Sequence, residues 1–154
     1  MSSLIVKNSI VIHANTSKVW NALVNPEQTK KYMFGCGALS DWKKESALLW
    51  KGVYENKEII FVKGFILDIQ REKLLTYSTI DPNAPIEDIP ENYLTVTYHL
   101  VQESDTKTTL TVTQGDYSKV TDGEKRYKEA FNNGEGWNPI LMEIKKLVKL
   151  NLKK

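Results

Sequence analysis

The chain has 154 residues, 41% apolar and 26% charged, and its 21 basic and 19 acidic side chains leave a formal charge of +2. That length suits one domain with its own core, expected over residues 1–154, and a near-neutral balance excludes a nucleic-acid-binding surface of the usual kind. One cysteine (Cys36) excludes an internal disulfide, two histidines (His13 and His99) leave no Cys–His set for a metal, and two arginines (Arg71 and Arg126) exclude a multi-arginine phosphate clamp.

The chain opens on MSSLIVKNSIVIH. This lacks the basic segment and unbroken apolar run of a secretory signal. Ile5 to His13 instead reads as a strand, with Val6, Asn8, Ile10 and Ile12 on one face. Asn15 is placed to cap a short helix carrying Val19, Trp20, Ala22 and Leu23. At Asn25-Pro26 a second helix starts, with Asn as cap and Pro where a missing amide costs nothing. Tyr32-Met33-Phe34 ends it, and Gly35 and Gly37 break the pattern.

The middle of the chain reads as strands and turns. Strands are expected over Ala38 to Trp42, Ala47 to Tyr54, Glu58 to Gln70 and Lys73 to Thr79, with polar turns at Lys43 to Ser46 and at Asn56. Gly64 marks a bulge or a close backbone approach. Asp81 to Asn92, with three prolines and four acidic residues, is a loop. Tyr93 to Glu103 and Thr108 to Gln114 alternate as a hairpin about Ser104-Asp105: Leu94, Val96, Tyr98 and Leu100 share one face, as do Leu110 and Val112. Their interleaved threonines suit a solvated outer face. Tyr117 to Asp122 connects to a helical stretch, Gly123 to Leu152, cut at Asn132-Asn133-Gly134 and at Asn138-Pro139. Beyond the cut, Trp137, Ile140, Leu141, Ile144, Leu147 and Val148 form one apolar stripe. Lys145, Lys146, Lys149, Lys153 and Lys154 gather at the helix end, where cations oppose the negative pole of its dipole. No apolar run approaches the roughly 18 residues needed to span a membrane, so no membrane insertion and a cytoplasmic location are expected. With no helix between the central strands, the sheet must be largely antiparallel, which gives the α+β class.

In this order the elements resemble the SRPBCC superfamily, also called START-like or birch-pollen-allergen-like, and within it the homologues of the activator of heat-shock protein 90 ATPase. The likeness is carried by Val19-Trp20-Asn21-Ala22-Leu23 with Asn25-Pro26-Glu27, by Ser40-Asp41-Trp42, by Trp50-Lys51-Gly52, by Gly64 to Ile69 leading to Leu74-Leu75-Thr76-Tyr77-Ser78, by Thr109 to Gln114, and by Gly136-Trp137 ahead of Leu141 and Leu147. It covers nearly the whole chain. Lys43-Lys44-Glu45-Ser46 stands where many relatives have a glycine-rich turn, and Gln70-Arg71-Glu72 where many have a proline. The resemblance implies a helix-grip fold: a curved antiparallel sheet around a long C-terminal helix, two short helices after the first strand, and a cavity between sheet and helix. It also implies apolar ligands in some members, cyclase or hydrolase activity in others, and chaperone ATPase stimulation in others again. The last are expected to carry a further N-terminal domain, for which this chain leaves no room.

On that frame Trp42, Trp50, Tyr77, Tyr98, Trp137 and Leu141 are the candidate ligand-binding residues, set against ordinary core packing, for which aromatics are equally suited. His99 falls on the strand face opposite the apolar one, where a solvated role outweighs a general base. Cys36, between two glycines, reads as a small apolar filler more readily than as a nucleophile. Asp41, Asp68 and Glu135 are candidate polar anchors, each more simply a solvated charge. The acidic loop, with Asp81, Glu87, Asp88 and Glu91, lacks the spacing of a calcium site and reads as a hydrated flap over the cavity entrance. Gly134-Glu135-Gly136-Trp137 reads as a kink rather than a phosphate cradle. The leading expectation is non-catalytic binding of a small hydrophobic ligand, with no cofactor and no metal, by a monomer or weak homodimer. A chaperone-interaction protein and an enzyme of the same fold are the alternatives.

Overall fold

The computed structural model describes residues 3–152. Strand β1 (Val6–Ile12) leads into helices α1 (Thr16–Val24) and α2 (Pro26–Tyr32). Then come β2 (Gly37–Ser40), β3 (Ala47–Tyr54), β4 (Lys57–Gln70), β5 (Leu74–Thr79), β6 (Leu94–Ser104) and β7 (Lys107–Gly115), followed by α3 (Gly123–Phe131) and α4 (Asn138–Leu152). The strands form one curved antiparallel sheet in the order β1-β7-β6-β5-β4-β3-β2. The α+β class and the helix-grip arrangement therefore hold.

Local chemistry explains the helix starts. Asn15 Oδ1 accepts from the Lys18 amide at 3.1 Å, and Asn25 Oδ1 accepts from the Glu27 amide at 3.0 Å, with Pro26 opening α2. Both asparagines thus satisfy amides that a helix cannot bond internally. Thr29, fully buried, accepts from the Ala38 amide at 2.9 Å and so ties α2 to β2.

The apolar stripe of α4 faces inward: Trp137, Leu141, Ile144, Leu147 and Val148 are buried and Ile140 half-buried, and the helix lies against β1, α1 and α2. Val6 and Ile12, Leu94 to Leu100 at alternate positions, and Leu110 with Val112 supply the sheet side of this core. Each such side chain removed from water contributes about 1.5–3 kcal/mol, so the grip holds much of the fold's stability. Lys145, Lys146 and Lys149 lie on α4; Lys153 and Lys154 lie outside the described residues.

Two expectations need correction. The strand expected over Ala38 to Trp42 spans only Gly37–Ser40, because Ser40 and Ser46 bond each other at 3.1 Å and Ser40 Oγ accepts from the Trp42 amide at 3.0 Å, closing a turn. Trp42 follows in a left-handed conformation (φ 55°). The Asp81 to Asn92 loop contributes no residue to the cleft described below. Lys63 pairs with Asp88, and Tyr93 Oη donates to Asp88 at 2.6 Å. With these bonds Asp88 and Pro90 flank a separate shallow hollow with the exposed Phe65 and Leu67. At Gly64 the expected close approach is present, since a Cβ there would meet the Ser78 carbonyl oxygen at 1.7 Å.

Candidate functional site

Inward-facing aromatics on β3, β5 and β6 meet the start of α4 in a single row. Trp50 and Tyr77 have ring centroids 6.1 Å apart, Tyr77 and Tyr98 5.8 Å, and Tyr98 and Trp137 5.9 Å in an edge-to-face arrangement. These are favourable aromatic separations. Tyr77 Oη donates to Tyr98 Oη at 3.3 Å in the buried interior. Burial holds both phenols, and that of the nearby Tyr32, well above the ordinary tyrosine range, so all three stay protonated.

Above this row opens a cleft of about 530 Å³. Its floor and walls are Trp50 on β3, Phe61 and Val62 on β4, Tyr77 and Thr79 on β5, Val96 on β6 and Gln114 on β7. Met33, Phe34 and Cys36 close one side; Glu129, Ala130, Asn132, Gly136, Trp137 and Ile140 close the other. Phe61 and Val62 are adjacent, yet both line the space. The β3–β4 register shifts at Trp50/Lys51, where Trp50 faces Val62 and Lys51 faces Ile60, so Phe61 is the extra residue of a bulge.

Trp137 is held from two strands. Its backbone amide donates to Asn8 Oδ1 at 2.9 Å, and its indole Nε1 donates to Gln114 Oε1 at 2.9 Å. Asn8 Nδ2 donates in turn to the Glu135 carbonyl at 3.3 Å. Gly136, at φ +46°, allows this approach, because a Cβ there would sit 2.3 Å from Asn8 Oδ1.

Of the six candidates, the structure brings Trp50, Tyr77, Tyr98 and Trp137 into one row, and Trp50, Tyr77 and Trp137 line the cleft directly. Tyr98, fully buried, backs the wall behind Tyr77 and Trp137. Leu141 is fully buried in the core beneath the stripe, and Trp42 stands half-buried in the turn after β2; neither lines the cleft. Asp41, Asp68, Glu135 and His99 also lie away from it, and His99 is exposed. Cys36 is 7% exposed and lines the cleft, and burial pushes its thiol above the usual cysteine range, the behaviour of an apolar filler. Sequence reasoning missed Phe61, Val62 and Gln114. Only Gln114 left a signal: a polar side chain in period-2 register with the inward Leu110 and Val112.

Among the described residues no group of three or more His, Cys, Asp or Glu side chains is placed to hold a metal ion, and no helix is long and apolar enough to cross a membrane.

Comparison with known proteins agrees with this fold. The family model described as activator of Hsp90 ATPase homolog 1-like protein matches residues 13–149. A Cytophaga hutchinsonii protein solved in solution is 36% identical, with all of both chains covered and a TM-score of 0.76. A Nitrosomonas europaea protein is 17% identical over all of both chains, TM-score 0.72. An Hsp90 activator from Plasmodium falciparum is 13% identical, covering 84% of this chain and 88% of its own, TM-score 0.59. No curated protein matches the chain. The chain belongs to the activator of Hsp90 ATPase homolog 1-like family.

Proposed function

We propose that the cleft binds a small, largely apolar molecule and holds it without transforming it. The observation that carries this reading is the aromatic row from Trp50 to Trp137 forming the wall of a half-open space of about 530 Å³. That volume falls in the range of small-molecule sites, and apolar area buried there is worth about 25 cal/mol per Å². The non-catalytic part rests on the lining chemistry. Burial keeps the Cys36 thiol and the Tyr77 phenol protonated, and no histidine lines the cleft to serve as their base.

The test is a titration with the neutral fluorophore N-phenyl-1-naphthylamine. Saturable one-to-one binding with a blue-shifted emission is expected. Ala130→Trp, which fills the cleft from α3, should abolish it. Absence of saturation in the parent protein, or binding indifferent to Ala130→Trp, overturns the proposal.

The family descriptor favours a second reading, in which the outer surface contacts a chaperone of the Hsp90 type. Phe34, 86% exposed at the cleft rim, is the apolar side chain such a contact would use first. Stimulation of the chaperone's ATPase that is lost in Phe34→Ser supports it, and no stimulation by the parent protein removes it.

A further inference from the structure

We infer that the cleft selects an uncharged guest bearing a hydrogen-bond acceptor, of the ketone, ester or amide kind, and that Gln114 receives it. The inference rests on the proposed binding role and names the guest's chemistry.

The orientation of the Gln114 carboxamide is fixed by chemistry. Indole Nε1 only donates, so the group 2.9 Å from Trp137 Nε1 must be the amide oxygen. The amide nitrogen is thereby turned the other way; no hydrogen bond engages it among the described residues, and it is not sealed from water. Gln114 is half-buried on β7 and lines the cleft. A donor in such a place loses water when a guest enters, and that loss weakens binding unless the guest supplies an acceptor. The Tyr77 hydroxyl, also in the wall, is engaged with Tyr98. Thr79 and Asn132 also bring donors to the lining, but of these the Gln114 amide is the one whose orientation a hydrogen bond to the wall fixes.

The sign of the guest's charge follows from what lines the space. The lining holds no lysine, arginine or histidine, and its one acidic side chain is Glu129, exposed at the mouth. An anionic head would surrender its hydration without a counter-ion and would pass an acidic side chain on the way in. A carbonyl oxygen meets neither cost. The cleft therefore disfavours a free fatty acid, although apolar area alone would accept one.

Three naphthalenes of nearly equal shape separate these effects: 2-acetonaphthone, with a carbonyl; 2-isopropenylnaphthalene, with a methylene in its place; and 2-naphthoate, an anion. Titration at pH 7.5 followed by tryptophan quenching should find the ketone about tenfold tighter than the alkene, one hydrogen bond's worth. The naphthoate should be weaker than both. In Gln114→Glu, which keeps an oxygen for the Trp137 indole and removes the amide donor, the ketone-to-alkene ratio should fall to about one. Equal affinity of ketone and alkene in the parent protein, or a naphthoate as tight as the ketone, overturns the inference while leaving cleft binding intact. So does a ratio unchanged in Gln114→Glu. No binding of any of the three removes the cleft reading itself, and this inference with it. The three parent titrations decide the matter even if Gln114→Glu fails to fold.

Discussion

Helices α3 and α4 follow one another along the chain, both border the cleft, and they are built in opposite ways. Five of the six stripe residues running from Trp137 into α4 are buried. On α3 only Gly123 is buried, while Tyr127 and Ala130 are half-covered and Phe131 lies 43% exposed. Its aromatics pair with one another and with a neighbour: Tyr127 stacks with Phe131 at 5.6 Å and meets Tyr117 edge-on at 6.0 Å. One helix is a structural member, and the other is a light cover beside the mouth. Segments with little buried apolar area open at low free-energy cost, and binding sites commonly border such segments.

The largest effect should come from cutting the heavy helix. Leu141, fully buried, is expected to lose about 3 kcal/mol of stability as Leu141→Ala, through lost transfer energy and the cavity left behind. Phe131→Ala on α3 should cost no more than about 1 kcal/mol, one exposed stacking contact. Urea unfolding of both variants checks the pair, and equal losses would mean that α3 is as much a core element as α4.

A sharper comparison uses the two glycines at the joint between the helices, both at positive φ. At Gly134 (φ +93°) an added Cβ meets nothing within 4 Å, so Gly134→Ala should cost only conformational strain, about 1–2 kcal/mol. At Gly136 (φ +46°) the same methyl strikes Asn8 Oδ1 and a Val6 methyl, and must displace the bond that the Trp137 amide donates to Asn8 Oδ1. Gly136→Ala should therefore cost about 1–2 kcal/mol more than Gly134→Ala, and should also weaken binding in the cleft, because Trp137 is part of the wall. Thermal melts with parallel probe titrations measure both. Identical losses at the two positions would show that Asn8 does not hold Trp137.

The same contrast explains what could be read beforehand. Periodic burial is written into the sequence, so the α4 stripe, the alternating faces of β6 and β7, and the capping asparagines Asn15 and Asn25 were all legible. Trp50, Tyr77, Tyr98 and Trp137 were legible as large aromatics on inward positions. What decides the cleft's shape is tertiary. The bulge that turns both Phe61 and Val62 inward depends on how β4 registers against β3, and no local pattern encodes it. Trp42 was misplaced because two serines closed the turn two residues early. The most informative signals were two polar residues interrupting apolar faces, Asn8 among Val6, Ile10 and Ile12, and Gln114 after Leu110 and Val112. Both proved to bond Trp137. A polar side chain on an inward position asks for a partner, and here the shared partner is Trp137, in the turn just before α4.

The smallest expected effect lies where α3 is anchored. Asp116 precedes the turn Tyr117–Lys119 against which α3 packs, and its Oδ1 accepts from the Leu4 amide at 2.9 Å, the Ser118 amide at 3.0 Å and the Ser118 hydroxyl at 2.7 Å. Those bonds, the Leu4 amide first, lower its carboxyl to about 2. Because the folded value lies below the unfolded one near 3.9, the ionised carboxylate stabilises the fold. That contribution is complete above about pH 4 and drains away as pH falls toward 2. Asp116→Asn should therefore be less stable than the parent protein at pH 7 and should converge on it in acid. Hydrogen exchange resolved by segment should place the loosening at the segment around Leu4, residues 117–119 and α3, while α4 keeps its protection. Equal acid sensitivity in α4 would mean that the two helices open as one unit, and the division between cover and core would fail.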